Sequence, residues 1–245
     1  IGIPIAEVWG MSELSNVASV SHPRDVRLGT VGKLLPGLES KIADDGEFLV
    51  RGPLVMKAYR KEPEKTAEAI DSDGWLHTGD ILDMDDDGYF RVVDRKKELI
   101  INAGGKNMSP ANIENTIKAA CPLIGVIIAL GDARPYNTAL VVLDAESAVP
   151  YAAQRGLPDA SAETLAADPD VIDQIAAGIA EGNSKLSRVE QIKRFQVLPT
   201  FWEPGGDEIT LTMKLKRRPI AEKYATEIEE LYADEPGPSV HQPHA

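Results

Sequence analysis

The 245-residue sequence carries a formal net charge of −13 at pH 7 and is 43% hydrophobic. A chain of this length can bury one large core or two smaller ones. The acidity argues against a nucleic-acid partner, because phosphate backbones bind basic surfaces. Cys121 is the single cysteine, so no internal disulfide can form and a reducing, cytoplasmic compartment is expected. No apolar run approaches the roughly 18 residues that a membrane-spanning helix needs.

The first stretch with candidate chemistry is residues 9–13 (WGMSE). Residues 1–8 are predicted to form a short buried strand that ends there. Trp9 can stack on a base, the Ser12 hydroxyl can bond a phosphate or a carboxylate, and Glu13 can hold Mg²⁺. A packed tryptophan at a strand end explains the same residues without a ligand, so both interpretations stay open for this stretch alone.

Residues 29–94 have the pattern of short strands separated by turns. Turn signals recur at residues 36–37, 44–46, 73–74 and 86–88. One helix is predicted over residues 63–70, with Pro63 in its first turn. The pattern predicts a small, twisted, barrel-like β-subdomain. Asp80, directly after Thr78-Gly79, can accept hydrogen bonds from a ribose diol, although aspartates at such turns more often cap their own backbone.

Residues 94–110 (DRKKELIINAGGKNMSP) place charged residues and glycines around two predicted strands, 89–93 and 99–101. Glycines permit backbone angles and close approaches that other residues forbid. The combination is typical of a hinge that also contacts an anionic ligand. An ordinary surface turn is the alternative for this stretch taken alone.

Beyond the hinge, helix and strand patterns alternate and predict a compact α+β domain. Ser109 and Pro110 form a predicted N-cap and first turn. Strands are predicted at 123–130, 138–143 and 191–198, and a helical region at 145–186 is broken near 157–158 and 168–169. A final helix is predicted from Pro219, and residues 234–245 are predicted to be disordered.

Residues 210–218 (TLTMKLKRR) alternate apolar and polar positions, which predicts an extended loop or an edge strand. Four of the last five residues are cationic in a strongly acidic chain: Lys214, Lys216, Arg217 and Arg218. A solvated charged face is the more common explanation of such a run.

Taken in order, these stretches resemble the adenylate-forming superfamily of acyl-CoA synthetases, peptide-synthetase adenylation domains and luciferases. Residues 9–13 resemble its aromatic-Gly-x-Ser/Thr-Glu motif, 46–52 (GEFLVRG) its Gly-Glu-Leu strand, and 74–80 (GWLHTGD) its ribose-binding motif. Residues 92–106 (VVDRKKELIINAGGK) resemble its hinge, and 212–220 (TMKLKRRPI) the loop of its adenylation lysine. The spelling is most similar to AMP-forming long-chain fatty acyl-CoA synthetases. Thr212-Met213 replaces the Ser/Thr-Gly of many relatives, which weakens the case for a peptide synthetase.

The resemblance implies a role for each matching residue. The implied catalytic residues are Lys214, Glu13 and Ser12, with Glu13 also holding Mg²⁺. The implied nucleotide-binding residues are Trp9, Gly10, Met11, Asp80 and Arg95. The implied hinge residues are Asp94 and Lys97, and the implied CoA channel comprises Gly104, Gly105 and Lys106. The implied cofactors are ATP, Mg²⁺ and CoA, with a fatty acid as the acyl substrate.

The resemblance also implies an α+β architecture in three parts. Residues 1–94 would end a large N-terminal domain, residues 95–233 would form a mobile lid, and 234–245 a disordered tail. The family's phosphate loop has no counterpart here, so we expect a missing N-terminal domain and an inactive isolated chain. Two alternatives stay open: an acid–AMP ligase that loads a carrier protein, and a non-catalytic module that keeps the fold. Peripheral membrane association is a further option, which no basic amphipathic helix supports.

Overall fold

A computed structural model describes residues 2–3, 5–157 and 159–244, and divides the chain into two compact units, 1–99 and 100–245. The first unit has two antiparallel sheets. Strands β1 (Val8–Trp9), β2 (Ser19–Val20) and β3 (Lys33–Leu34) form the smaller sheet. Strands β4 (Glu39–Ile42), β5 (Glu47–Arg51), β6 (Leu76–Met84) and β7 (Phe90–Arg95) form the larger one in chain order. Helix α1 (Pro63–Ala69) lies between β5 and β6 in the chain.

Turn chemistry explains the larger sheet. At the β6–β7 connection, the Asp85 carboxylate accepts hydrogen bonds from the backbone N–H groups of Asp87 and Tyr89, and Gly88 supplies a φ of 82°. Phe48, Leu76 and Phe90 are buried beneath the sheet with the ring of Trp9. The short strands and turns predicted over residues 29–94 are confirmed, and so is the helix predicted at 63–70, which is α1.

Two predictions for this unit are wrong. Neither sheet closes into a barrel, because β4 and β7 are the two ends of the strand order and do not pair with each other among the described residues. Residues 1–8 do not form a buried strand either. Only Val8 reaches β1, and Ile3 and Ile5 are 71% and 79% exposed; Ile1 and Pro4 fall outside the described residues.

The second unit begins with a two-stranded hairpin, β8 (Ile100–Ile101) and β9 (Asn107–Met108), and helix α2 (Pro110–Lys118). Its main sheet contains β10 (Ile124–Leu130), β11 (Asn137–Leu143), β12 (Ile192–Val197) and β13 (Val240–His241) in that order. The β11–β12 pair is parallel and its neighbours are antiparallel. Helices α3 (Ala145–Arg155), α4 (Ala162–Ala167) and α5 (Pro169–Ser184) connect β11 to β12, and α6 (Arg217–Lys223) and α7 (Ala225–Tyr232) follow.

Strand β11 is buried along its whole length because both faces of the sheet are covered. Ile113, Ile117 and Ile175 pack in one core cluster. Ile220 and Leu231, from the last two helices, belong to a second cluster. The predicted helix start is confirmed: the Ser109 side chain accepts a hydrogen bond from the Asn112 N–H, and Pro110 is the first helical residue.

The C-terminal third departs from the sequence prediction at the final helix and at the tail. Residues 210–216 form a loop with a turn at 210–213 and not an edge strand, in agreement with the loop alternative. The helix predicted from Pro219 instead begins at Arg217 and is divided at Tyr224 into α6 and α7. The tail is not disordered throughout. Val240 and His241 pair with Gln196 and Phe195 of β12, and the His241 ring lies 5.6 Å from that of Phe195. Backbone pairing and ring burial outweigh a polar, proline-rich composition.

Candidate nucleotide site

A cleft of about 840 Å³ in the first unit brings several predicted residues together. Met11 and Glu13 line it from the stretch after β1, Arg95 from the end of β7, and Lys97 from the turn that follows. The structure adds lining residues that the sequence analysis did not single out: Glu47, Tyr59, His77 and Lys96. The cleft therefore combines carboxylates with cations, as a site for a charged ligand and its counter-ion requires.

Trp9, Asp80 and Arg95 form one connected group. The Trp9 indole N–H donates to Asp80 Oδ2 at 2.9 Å, and Arg95 Nε lies 2.7 Å from Asp80 Oδ1. Asp80 is 3% exposed, and burial raises the pKa of its carboxyl, an effect that the Trp9 N–H and Arg95 partly offset. Both oxygens of this carboxylate are engaged within the unit.

The expected stacking of Trp9 on adenine does not fit this geometry. The indole ring is 8% exposed and meets the Phe48 ring edge-on at 5.2 Å. Gly10 is required for a steric reason, because a Cβ at this position would stand 1.9 Å from the backbone oxygen of Asn16. Trp9 and Gly10 thus shape the stretch that carries Met11, Ser12 and Glu13, and Trp9 holds the carboxylate of Asp80.

The Glu13 carboxylate is held on one side only. Its Oε1 accepts a hydrogen bond from the Tyr59 hydroxyl at 2.7 Å, and that bond together with burial raises the pKa of Tyr59. Oε2 of Glu13 has no hydrogen-bond or ionic partner among the described residues, and the Ser12 side chain beside it is exposed. A carboxylate with a free oxygen that faces a cleft suits a Mg²⁺ ion that takes its other ligands from phosphates and water. No group of three or more metal-ligating side chains occurs in the described part of the chain.

A second carboxylate, Glu47, fixes the start of the predicted hinge. Its Oε2 lies 2.9 Å from Lys96 Nζ and 3.1 Å from His77 Nδ1, and its Oε1 accepts the Gly79 N–H at 2.9 Å. Burial opposes ionisation of Glu47, but these three donors more than offset it and hold its pKa below the usual value. Asp45 also pairs with Lys96 at 2.6 Å, and Asp45 and Glu47 together raise the pKa of Lys96.

These contacts divide the predicted hinge. Asp94, 7% exposed, accepts the Arg95 N–H through its own carboxylate, and Arg95 and Lys96 are bound to Asp80 and Glu47. Lys97 is exposed. Asp94 thus belongs to the last strand of the sheet, and Lys97 is the first residue after the tethered part. The contact between Glu47 and Lys96 could not be predicted from the sequence, because a Glu-Phe-Leu strand does not indicate which side chain its glutamate contacts.

In the second unit, Lys214 lies on a tight turn with its ammonium group exposed. The Lys214 N–H donates to Thr210 Oγ1 at 3.0 Å, and the Lys214 carbonyl accepts the Thr210 N–H at 2.9 Å. Met213 has a φ of 62°. The other three cations of the run are all engaged: Lys216 with the Gly206 carbonyl, Arg217 with Glu114 and Arg218 with Glu222. In the described part of the chain, the Lys214 ammonium has no such partner.

The predicted CoA-channel residues form the turn between β8 and β9. Asn102 Oδ1 accepts the N–H groups of Gly104 and Lys106, each at 3.0 Å. Gly105 has a φ of 76°, and a Cβ there would meet nothing within 4 Å. The turn is exposed and presents backbone to solvent, so a thin ligand could pass close to it.

Comparison with known proteins identifies the family to which this chain belongs. A model of the AMP-binding enzyme C-terminal domain matches residues 97–236. The chain belongs to that family. A protein of Mycobacterium tuberculosis H37Rv named fatty-acid–CoA ligase fadD11 is 78% identical over all 245 residues, which are 43% of its own length. The long-chain-fatty-acid–CoA ligase FadD15 of the same strain is 42% identical over 96% of this chain and 39% of its own length.

A solved structure also resembles this chain. The o-succinylbenzoate CoA synthetase of Bacillus subtilis, solved with ATP and a magnesium ion, has a TM-score of 0.62 and 25% identity, and the match covers 89% of this chain and 41% of the synthetase. The chain thus spans less than half the length of the relatives it matches. Among the described residues, no helix has the length and apolarity to cross a bilayer.

Proposed function

We propose that this chain forms part of a fatty-acid–CoA ligase that activates a fatty carboxylate with ATP and transfers the acyl group to CoA. The observation that carries the proposal is the 78% identity, over every residue of the chain, to a protein named for that activity. The cleft supports it independently, because Glu13 and Arg95 line it and supply charges that a nucleotide and its metal need, with Arg95 paired to the buried Asp80 beside the cleft.

The first half-reaction joins the carboxylate to the nucleotide. A carboxylate oxygen bonds to the α-phosphorus of ATP, and the bond from that phosphorus to the bridging oxygen of pyrophosphate breaks. The attacking and attacked groups are both anionic, so a cation placed between them lowers the barrier. Lys214 is exposed, and its ammonium has no hydrogen-bond or ionic partner among the described residues, so it is available for this role. At about 4 Å and an effective dielectric near 20, one charge contributes on the order of 4 kcal/mol, which is about a thousand-fold in rate.

The first unit holds the nucleotide in this proposal. Arg95 reaches the sugar from the end of β7, Asp80 accepts its hydroxyls, Met11 borders the base, and the exposed Ser12 hydroxyl donates to the α-phosphate or the acyl carbonyl. Because both Asp80 oxygens already have partners, ribose hydroxyls add to these contacts as further donors, which a carboxylate oxygen can accept. Glu13 would hold Mg²⁺, which would offset the negative charge of the phosphate tail.

The second half-reaction transfers the acyl group. The CoA thiol loses its proton to solvent as its sulfur bonds to the acyl carbon, the bond from that carbon to the AMP oxygen breaks, and AMP leaves with the electron pair. We assign the passage of the pantetheine arm to the turn of Gly104, Gly105 and Lys106, because its exposed backbone offers close approach without side chains. Lys97 is the first residue after Arg95 and Lys96, which are bound to Asp80 and Glu47. It is the proposed pivot about which the lid turns between the two half-reactions.

The test uses a chimera in which this chain replaces the aligned residues of the 78%-identical relative. With ATP, Mg²⁺, a fatty acid and CoA, we expect acyl-CoA, AMP and pyrophosphate in equal amounts. A parallel reaction with a phosphopantetheinyl carrier protein in place of CoA should give no acylated carrier. Acylated carrier without acyl-CoA contradicts the CoA proposal, and absence of acyl-AMP in both reactions contradicts the activity itself.

A further inference from the structure

A charged contact joins the start of α6, directly after the Lys214 turn, to the core of its unit. Arg217, the first residue of α6, lies three positions after Lys214. Its Nη1 and Nη2 atoms donate to Glu114 Oε1 and Oε2, both at 2.8 Å. Such a two-point contact fixes the orientation of both groups as well as their distance. The start of α6, and with it the end of the Lys214 turn, is therefore held in one orientation.

Glu114 is itself anchored in the core. It is 8% exposed, lies on α2 among the buried Ile113 and Ile117, and accepts the Ala129 N–H of β10 at 2.9 Å through Oε1. One carboxylate thereby joins a helix, the central sheet and the helix that follows the Lys214 turn. The pair is partly buried, with 25% of the Arg217 side chain and 10% of the Glu114 side chain exposed. Its two-point geometry fixes where α6 begins relative to α2 and β10.

Hydrogen bonds within residues 206–216 give the turn its local shape. Thr210 binds Lys214 within the turn, and Lys216 binds the Glu208 carbonyl through its N–H and the Gly206 carbonyl through Nζ. Towards the rest of the unit, Leu215 packs against the second core cluster, and the Glu208 carboxylate accepts from Lys223 Nζ of α6. The Glu114–Arg217 pair is a charged contact that relates the turn to α2 and β10.

From this arrangement we infer that Glu114 and Arg217 are positioning residues for the Lys214 ammonium in acyl-AMP formation. The inference rests on the role proposed above for Lys214. Neither residue contacts substrate; each acts by holding the base of the turn that carries the lysine. Displacement of a reacting group by about 1 Å can cost about 100-fold in rate, so loss of the pair should slow acyl-AMP formation by that order.

Arg217→Lys and Arg217→Gln test the inference in the chimera described above, with Arg218→Gln as the matched control. Lysine keeps the charge and loses the two-point geometry, and it provides a folded variant if glutamine prevents folding. Arg218 is the neighbouring arginine, but its side chain is 90% exposed and its pair with Glu222 lies within one helix. Three quantities are measured: single-turnover acyl-AMP formation, thioester formation from supplied acyl-AMP, and hydrogen exchange of residues 210–216.

Both Arg217 variants should form acyl-AMP 10- to 100-fold more slowly, keep thioester formation within about two-fold, and exchange the turn amides faster. Arg218→Gln should match the unaltered chimera in all three. Equal loss of both half-reactions would mean a purely structural role and would overturn the inference. Unchanged exchange in residues 210–216 overturns it at any level of activity. Faster exchange with full acyl-AMP formation overturns the positioning role of the pair, while Lys214→Ala tests the lysine itself.

Discussion

The indole N–H of Trp9 gives the sharpest test of how the nucleotide cleft is built. Trp9→Phe keeps an aromatic ring against Phe48 and removes the donor that lies 2.9 Å from Asp80 Oδ2. If Trp9 served by stacking on adenine, phenylalanine would replace it with modest loss. If it serves by holding a buried carboxylate, the substitution removes one of the two groups that keep Asp80 ionised.

The magnitude follows from the burial of Asp80. A hydrogen bond to a charged group contributes about 1.5–3 kcal/mol, and the Asp80 side chain is only 5% exposed, so solvent replaces little of the lost contact. The pKa of Asp80, already raised by burial, should rise further. Because a raised pKa favours the neutral carboxyl in the folded state, the penalty is largest at neutral pH and shrinks as the pH falls through the pKa of Asp80.

Native-state hydrogen exchange of the amides in β5 and β6 measures the opening free energy of this sheet at pH 7 and pH 5. Trp75→Phe is the matched control, because that ring lies in the same unit between Lys41 and Arg51. We expect Trp9→Phe to lower the opening free energy by about 2 kcal/mol more than the control at pH 7, and by less at pH 5. Equal losses in the two variants, or a loss that does not change with pH, would refute the proposed role.

Three further predictions concern single contacts of the proposed ligase. Tyr59→Phe removes the donor to Glu13, so the Mg²⁺ concentration that half-saturates acyl-AMP formation should rise about 10-fold, a loss typical of an outer-shell contact, while thioester formation from supplied acyl-AMP is unchanged. Glu47→Gln should lower the opening free energy of the larger sheet of the first unit by about 2 kcal/mol at pH 7, because it leaves Lys96 paired with Asp45 alone. Since the pKa of Glu47 is lowered, this difference is present above the ordinary carboxyl range and is lost as the pH falls through the Glu47 pKa. Gly105→Asn tolerates the positive φ and should slow thioester formation with acyl-AMP formation intact.

Each of these has an outcome that contradicts it. An unchanged Mg²⁺ requirement in Tyr59→Phe would separate Glu13 from the metal. A stability difference between wild type and Glu47→Gln that grows towards acid would reverse the assigned direction of the Glu47 pKa. Normal thioester formation in Gly105→Asn would remove the CoA passage from this turn.

The sequence predicted the elements well where local chemistry decides them. Ser109 and Pro110 start α2 because a hydroxyl cap and a fixed φ act within a single turn. The breaks in the helical region lie close to those predicted, although Pro158 itself is outside the described residues. The predicted barrel failed because closure depends on which strands meet at the sheet edges, which no local pattern reports.

The candidate site could be predicted only in part, for a related reason. Glu13, Asp80, Arg95 and Lys214 stand in recognisable motifs, but the roles proposed for them remain predictions. The partners that hold them lie far along the chain: Tyr59 is 46 residues from Glu13, and Arg217 is 103 residues from Glu114. Tertiary contacts over such separations follow from packing, and a single sequence carries no signal for them.

The central claim is that this chain brings a lysine to the acid-activating step of a ligase. Lys214→Ala in the chimera tests it most directly when the two half-reactions are measured separately. We predict a fall of about a thousand-fold in acyl-AMP formation from ATP and fatty acid, with conversion of supplied acyl-AMP and CoA to acyl-CoA within about two-fold of the unaltered chimera. Equal loss of the two half-reactions, or full retention of both, would contradict the account.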